Sequence, residues 1–161
     1  MKFKTEPQKK TYEKTRGYLH TLFGEVNVTT MDEMLVLQEG STFVYARAFP
    51  IGDKKAGVEV FAHVVADVAV TEELMRYLLT YNLRLIFGAF GLAIGEDGKA
   101  TVVLSHSILG DSMSRDELYA SVSAIARVAD DLDDPMVKAF GGQTARDKLM
   151  ATGHAPAEYW E

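Results

Sequence analysis

Apolar positions change period several times along the chain, and each change predicts an element. From Pro7 to Phe23, Tyr12, Leu19, Leu22 and Phe23 are among apolar positions at helical spacing, with Thr5 as N-cap, Pro7 near the first turn and Gly24 as the stop. Segments 34–38, 42–49 and 57–66 are rich in Val, Phe, Tyr and Leu. Glu39-Gly40 and Gly52-Asp53-Lys54-Lys55 separate them, which predicts a meander of three strands. Thr71 is placed to cap a second helix through Asn82, whose Leu74, Leu78 and Tyr81 fall on one stripe. Residues 83–94 read as extended, and Gly95-Glu96-Asp97-Gly98 turns them into a strand over 100–106, giving a hairpin. Gly88 and Gly91 are expected in or at the end of this fourth strand, where a side chain would crowd a helix or a crossing strand.

Ser114 followed by Glu117 is a capping box, and Met113 with Leu118 fits the accompanying hydrophobic staple; Leu118, Val122, Ile125 and Ala129 form the buried face of the third helix. Asp134-Pro135 predicts the start of a separate last helix, broken near Gly141-Gly142 and resuming to about Met150. Gly153 to Glu161 has no periodicity, and its Tyr159-Trp160 pair offers an anchor to the body or to a neighbouring subunit. The expected fold is α+β: a two-layer sandwich of a five-stranded, mainly antiparallel sheet with helices on one face, in the order α-β-β-β-α-β-β-α-α.

Alternation within the strands sorts side chains onto two faces. One carries Val44, Ala46, Ala48, Val58, Val60, Ala62 and Val64; the other carries Phe43, Tyr45, Arg47, Phe49, Glu59, Phe61, His63 and Val65. Aromatic rings mixed with Arg, His and Glu suit a surface that grips another chain. On that reading Phe43, Tyr45, Arg47, Phe61 and His63 bind a peptide or partner, joined by Phe90 from the fourth strand. The other reading places the aromatics under the helices and turns the aliphatic set toward a second subunit. The pattern alone leaves both open.

Length and composition then narrow the class. A chain of 161 residues, 47% hydrophobic and 25% charged, fits one folded domain over 1–161, with 1–6 and 153–161 as flexible or partner-contacting tails. Absence of cysteine excludes disulfides and thiolate chemistry and suits a reducing cytoplasm. The charged MKFKTEPQKK start is followed by no unbroken apolar stretch, so export by a signal peptide is not expected. The most apolar stretch, 58–70, is interrupted by Glu59, His63 and Asp67 and is short of the roughly 20 residues of a bilayer span, so no membrane partner is expected. Residues 1–16 hold six Lys/Arg against two Glu, net +4, while 17–161 hold eleven against twenty-one Asp/Glu, net −10. An acidic body with one short basic segment is a poor platform for nucleic acid.

Candidate chemistry is sparse. His20, His63, His106 and His154 show no metal-ligand spacing, and the run Asp130-Asp131-Leu132-Asp133-Asp134 lacks the alternation and the Gly of a calcium loop, so no metal is expected. Gly91, Gly95 and Gly98 end in Lys99-Ala100 and lead into a strand, which fits neither a phosphate loop nor a dinucleotide fingerprint, and no cofactor is expected. Ser105-His106 with Asp111 lacks a nucleophile elbow, and strand neighbours point to opposite faces. The chain therefore reads as a non-enzyme. The alternative is a small-ligand sensor or an enzyme with a pocket between sheet and helices.

At 81–92, Tyr-Asn-Leu-Arg-Leu-Ile-Phe-Gly-Ala-Phe-Gly-Leu, an Asn-containing helix end leads into a strand of the form FGxFxL, and this resembles the YbjN-like family. Gly-Glu-Asp-Gly-Lys, Val-Val-Leu-Ser-His, Ser-Arg-Asp-Glu-Leu and Ala-Asp-Asp-Leu-Asp-Asp extend the resemblance over about residues 60–140. It implies a fold like that of type III secretion chaperones, whose helix, three strands, helix, two strands, helix order agrees with the order read from the residues. It also implies a role in peptide-binding chaperoning or sensory-transduction regulation, with no catalytic set to carry over. The joint expectation is a cytoplasmic protein- or peptide-binding domain, homodimeric, without cofactors.

Overall fold

The computed structural model describes residues 3–31 and 33–154. Its elements are α1 (Glu6–Phe23), β1 (Val28–Met31), β2 (Met34–Glu39), β3 (Thr42–Ile51), β4 (Lys55–Ala69), α2 (Glu72–Asn82), β5 (Ala89–Ile94), β6 (Lys99–Leu109), α3 (Arg115–Phe140), β7 (Gln143–Thr144) and α4 (Ala145–Thr152). The sheet is antiparallel, ordered β1-β2-β3-β4-β6-β5, with β7 paired to β4. Side-chain caps stand where the sequence puts them. Thr5 accepts from the Gln8 N–H, Thr71 from Leu74, and Ser114 and Glu117 close a reciprocal capping box.

Seven strands replace the expected five. β1 is only Val-Thr-Thr-Met and β7 only two residues, and neither has enough alternation to stand out; each exists because a neighbour offers unpaired backbone. β6 occupies one edge of β4 along most of its length. On the other edge β3 stops opposite Phe61, and β7 fills the vacancy at Val65 and Ala66. Residues 83–88 are not strand: β5 begins at Ala89, after a turn in which Gly88 adopts φ +78°. α3 also differs, running through Pro135 as one 26-residue helix instead of ending at Asp134. Proline removes one backbone hydrogen bond, but Ala129, Leu132 and Met136 continue the buried stripe across it, and packing of that face holds the helix together. Gly141 and Gly142, both at positive φ, then end it.

The helices decide between the two faces. Val44, Ala46, Ala48, Val58, Val60, Ala62 and Val64 share one buried core with Leu19 of α1, Leu74 and Leu78 of α2, and Leu118, Val122, Ile125 and Ala129 of α3. Small side chains on β3 and β4 let the helices approach closely, each large aliphatic contributing about 1.5–3 kcal/mol on burial. The aromatic set lies on the opposite side of the sheet in a second cluster. A register shift after His63 ends the alternation, so Val65 joins the helix-side core instead of the aromatic face. The basic first helix is tied down by polar contacts: Gln8 Nε2 donates to the Ala48 carbonyl at 3.0 Å and Lys14 Nζ to the Gly110 carbonyl at 3.0 Å.

The irregularity in β4 carries a latch. Asp67 sits at φ +57°, a left-handed conformation that Asp tolerates, within the second of two register shifts, between Val65 and Val68. Its carboxylate accepts from Gln143 Nε2 at 2.7 Å and from Lys148 Nζ at 2.6 Å, joining β4 to β7 and α4. These two hydrogen bonds, the Lys148 bond being the larger influence, hold Asp67 below the ordinary carboxyl value of 3.8. A carboxylate depressed in the folded state adds stability that is complete above its unfolded value and is lost as pH falls through the lowered one. Asp67→Asn keeps the left-handed backbone accessible but removes the charge. Amide exchange in 143–152 should rise in that variant at neutral pH, and in the parent only below about pH 4.

Candidate polypeptide-binding surfaces

On the sheet face opposite α1, α2 and α3, Tyr45 and Phe61 are directly opposed across β3 and β4 and stack with centroids 5.1 Å apart and planes 13° from parallel. His63 meets both rings, at 5.3 Å from Tyr45 and 5.5 Å from Phe61. Two residues along, Arg47 and Glu59 form the next cross-strand pair, joined by a 2.8 Å salt bridge. Met34, Val36 and Val103 complete the patch from neighbouring strands. Strand alternation brings these residues together, as the sequence predicts. Their accessibility differs sharply, however. Tyr45, Phe61 and His63 are buried, at 1%, 0% and 5% exposure, while Phe43 and Arg47 are half-buried. Burial pushes the Tyr45 hydroxyl up to about 12.

α4 borders this patch: Ala145 and Leu149 share a cleft of only about 10 Å³ with Phe43, Tyr45 and His63, room for no more than a water. Phe90 lies apart from the other five. It points to the helix side, 7% exposed, with its ring edge-on to Tyr81 at 5.8 Å. Asn82 reaches across from the end of α2, donating through Nδ2 to the Phe90 carbonyl and accepting from the Phe90 N–H at 2.7 Å, and so fixes where β5 begins. The Asn of the sequence motif is thus a strand-positioning residue.

A second surface was not evident from the sequence. α2, the 83–88 segment and α3 enclose two open hollows of about 420 and 370 Å³ that share Tyr81 and Arg84. Tyr77, Tyr81 and Phe140 form an aromatic run, with Tyr77 centred 5.3 Å from Phe140 and 5.8 Å from Tyr81. The Tyr77 hydroxyl titrates above its ordinary value, chiefly through burial and then through its neighbour Tyr81. Tyr77 and Tyr81 are four apart on one helix, which a search for side-by-side pairs would have found. Phe140, 59 residues away, is placed there only by the fold.

Among the residues considered for chemistry, His106 Nδ1 is 2.9 Å from the Ser121 hydroxyl and its ring is edge-on to Phe87. Its partner is thus a serine of α3 rather than Ser105, and burial depresses its titration. Among the described residues no three His, Asp or Glu side chains are grouped to hold a metal ion, and no helix is long and apolar enough to cross a membrane. Tyr159 and Trp160 lie outside the described residues.

The sequence model of the TY-Chap1 family, described as T3SS (YopN, CesT) and YbjN peptide-binding chaperone 1, matches residues 11–148. The chain belongs to this family. The match runs from α1 into α4 and takes in both surfaces described above. Solved structures support the fold. The ExsC–ExsE complex aligns with TM-score 0.55 at 18% identity, over 76% of this chain and 93% of that chain. The Yersinia pestis type III secretion chaperone SycH, in complex with a stable fragment of YscM2, aligns with TM-score 0.52 at 16% identity, over 75% and 98%. YbjN from E. coli aligns with TM-score 0.53 at 13% identity, over 77% and 92%. At these identities the likeness is one of fold. No curated protein matches the chain by sequence. As a TY-Chap1 member the chain has a chaperone-like, protein-binding character, and the type III secretion chaperone fold implied by the family resemblance is the one found.

Proposed function

We propose that this protein is a non-enzymatic, cytoplasmic chaperone or adaptor that works as a homodimer and holds an extended or helical polypeptide segment on the sheet face opposite α1, α2 and α3. The observation that carries this reading is the aromatic cluster itself, built on the sheet face opposite α1, α2 and α3 and bordered by α4, in a member of a peptide-binding chaperone family. Two of the similar structures are complexes, of ExsC with ExsE and of SycH with a YscM2 fragment, and they lend the reading further support. Tyr45, Phe61 and His63 form the buried support, and the half-buried Phe43 and Arg47 meet the client. Self-association is supported by Met75, Leu79 and Leu83, which are 41%, 69% and 88% exposed along one side of α2 and beyond its end. Exposed apolar residues at such spacing invite a partner.

One experiment tests both parts. A photo-crosslinking amino acid at position 43 in the full chain, activated in the native cytoplasm, should capture a discrete polypeptide, and Phe43→Ala should weaken that association by about 1–4 kcal/mol while the fold is retained. Sedimentation of the same preparations should give a dimer that Leu79→Glu dissociates. Absence of any crosslink from position 43, or a monomer in the parent protein, overturns the corresponding part.

A further inference from the structure

We infer that the groove between α2, the 83–88 segment and α3 receives an acidic amphipathic segment of a client polypeptide, its apolar side chains on Tyr77, Tyr81 and Phe140 and its carboxylates against Arg84 and Arg127. This rests on the peptide-binding reading above and names the partner's chemistry at a second surface.

Size is the first support. The two hollows, about 420 and 370 Å³, each fall within the roughly 300–1,000 Å³ typical of sites that enclose ligand groups, and they adjoin at Tyr81 and Arg84 to make one elongated depression. Composition is the second. Ala120, Ser123 and Ala124 line the α3 wall, and such short side chains at spacings of three and four leave space for the apolar stripe of a partner helix.

Charge is the third support, and it selects the occupant. Beyond residue 16 the chain carries net −10 and only eleven Lys/Arg, yet Arg76, Arg84 and Arg127 all line this groove, opposed by a single lining carboxylate, Glu73. Arg76 is already bridged to Glu72. Arg84 and Arg127 are exposed and form no salt bridge among the described residues. On its other side Arg127 borders a hollow lined by Glu39 and Asp130, neither of which forms a salt bridge with it, and Asp130 is turned to Ser41, whose N–H and hydroxyl donate to it and keep it below the ordinary carboxyl range. Two unpaired guanidinium groups beside an aromatic floor complement carboxylates next to apolar side chains. The apolar residues Met75, Leu79 and Leu83 are each one residue off the groove-lining Arg76, Thr80 and Arg84, so this patch lies beside the groove, about 100° around α2, and is not part of its lining.

The test uses the full chain and two labelled peptides of about 15 residues. Both carry Leu at helical spacing; one has Glu and the other Lys at every polar position. In fluorescence anisotropy the Glu peptide should bind about tenfold or more tightly than the Lys peptide. That advantage should shrink as salt rises from low to about 0.5 M, because exposed charges are screened. Arg84→Glu with Arg127→Glu should abolish or reverse it, Arg84→Lys with Arg127→Lys should retain most of it, and Lys54→Glu on the distant β3–β4 turn should leave it unchanged. Thermal melts should show all variants folded, since the substituted side chains are exposed. Arg84→Gln with Arg127→Gln provides a neutral check should the double reversal melt early. Equal binding of the two peptides, binding of neither, or an oligothymidylate that displaces the Glu peptide overturns the assignment. Peptide binding that competes with dimer formation overturns it as well, by showing a second copy to be the occupant. Failure here leaves the crosslink at position 43 as the separate measure of the reading on which the inference rests.

Discussion

Truncating Phe61 to Ala should cost about 3–5 kcal/mol of folding stability, the range for removing a fully buried aromatic ring. Phe61 is inaccessible to solvent, stacked on Tyr45 and in edge contact with His63, so its removal leaves a void bounded by rings that cannot all move in to fill it. Tyr45→Ala should behave similarly. Aromatic pairing adds about 0.5–1.5 kcal/mol beyond burial, so the double variant should lose less than the sum of the two single losses. Thermal and urea melts with coincident probes measure this, and a loss below about 1 kcal/mol for Phe61→Ala would show the cluster to be loosely packed. The prediction also separates structure from binding on this face. Phe43→Ala, at a half-buried position, should leave the melting temperature nearly unchanged while weakening client association.

Gly88→Ala should be the second most damaging small change. Its backbone at φ +78° disfavours any residue with a Cβ by about 1–2 kcal/mol. The added carbon would also lie 2.6 Å from the Ser105 carbonyl oxygen of β6 and 3.1 Å from Ile125 Cδ1 of α3. Backbone cannot yield as a flexible side chain does, so overpacking adds about 1–3 kcal/mol. Together these predict a loss of about 2–5 kcal/mol and a loosened start of β5, seen as faster amide exchange in 89–94. Gly91→Ala is the control. A Cβ there meets nothing within 4 Å, and stability should change by no more than about 0.5 kcal/mol. The expectation that both glycines avoid a crowded neighbour therefore holds at Gly88 and not at Gly91.

The residues themselves determined the local parts of this protein. Thr5, Thr71 and the Ser114–Glu117 box set where three helices begin, because a cap is a contact within four residues and needs nothing from the rest of the chain. The period-two pattern of β3 and β4 grouped Phe43, Tyr45, Arg47, Phe61 and His63 on one side, because side-chain direction in a strand follows from backbone geometry alone. What alternation cannot say is which side the helices cover, since either face is apolar enough. That was decided by the fit of α1 and α3 against the small set Ala46, Ala48 and Ala62. Tertiary structure also carried α3 through Pro135, where the buried Leu132 and Met136 outweigh one missing hydrogen bond, and it created β7 from two residues beside an edge that β3 leaves open. It turned Phe90 away from the residues it was grouped with and toward Tyr81. The Arg84–Arg127 groove was hidden for the same reason: its walls come from segments more than thirty residues apart, and only packing brings an aromatic floor and unpaired cations to one place.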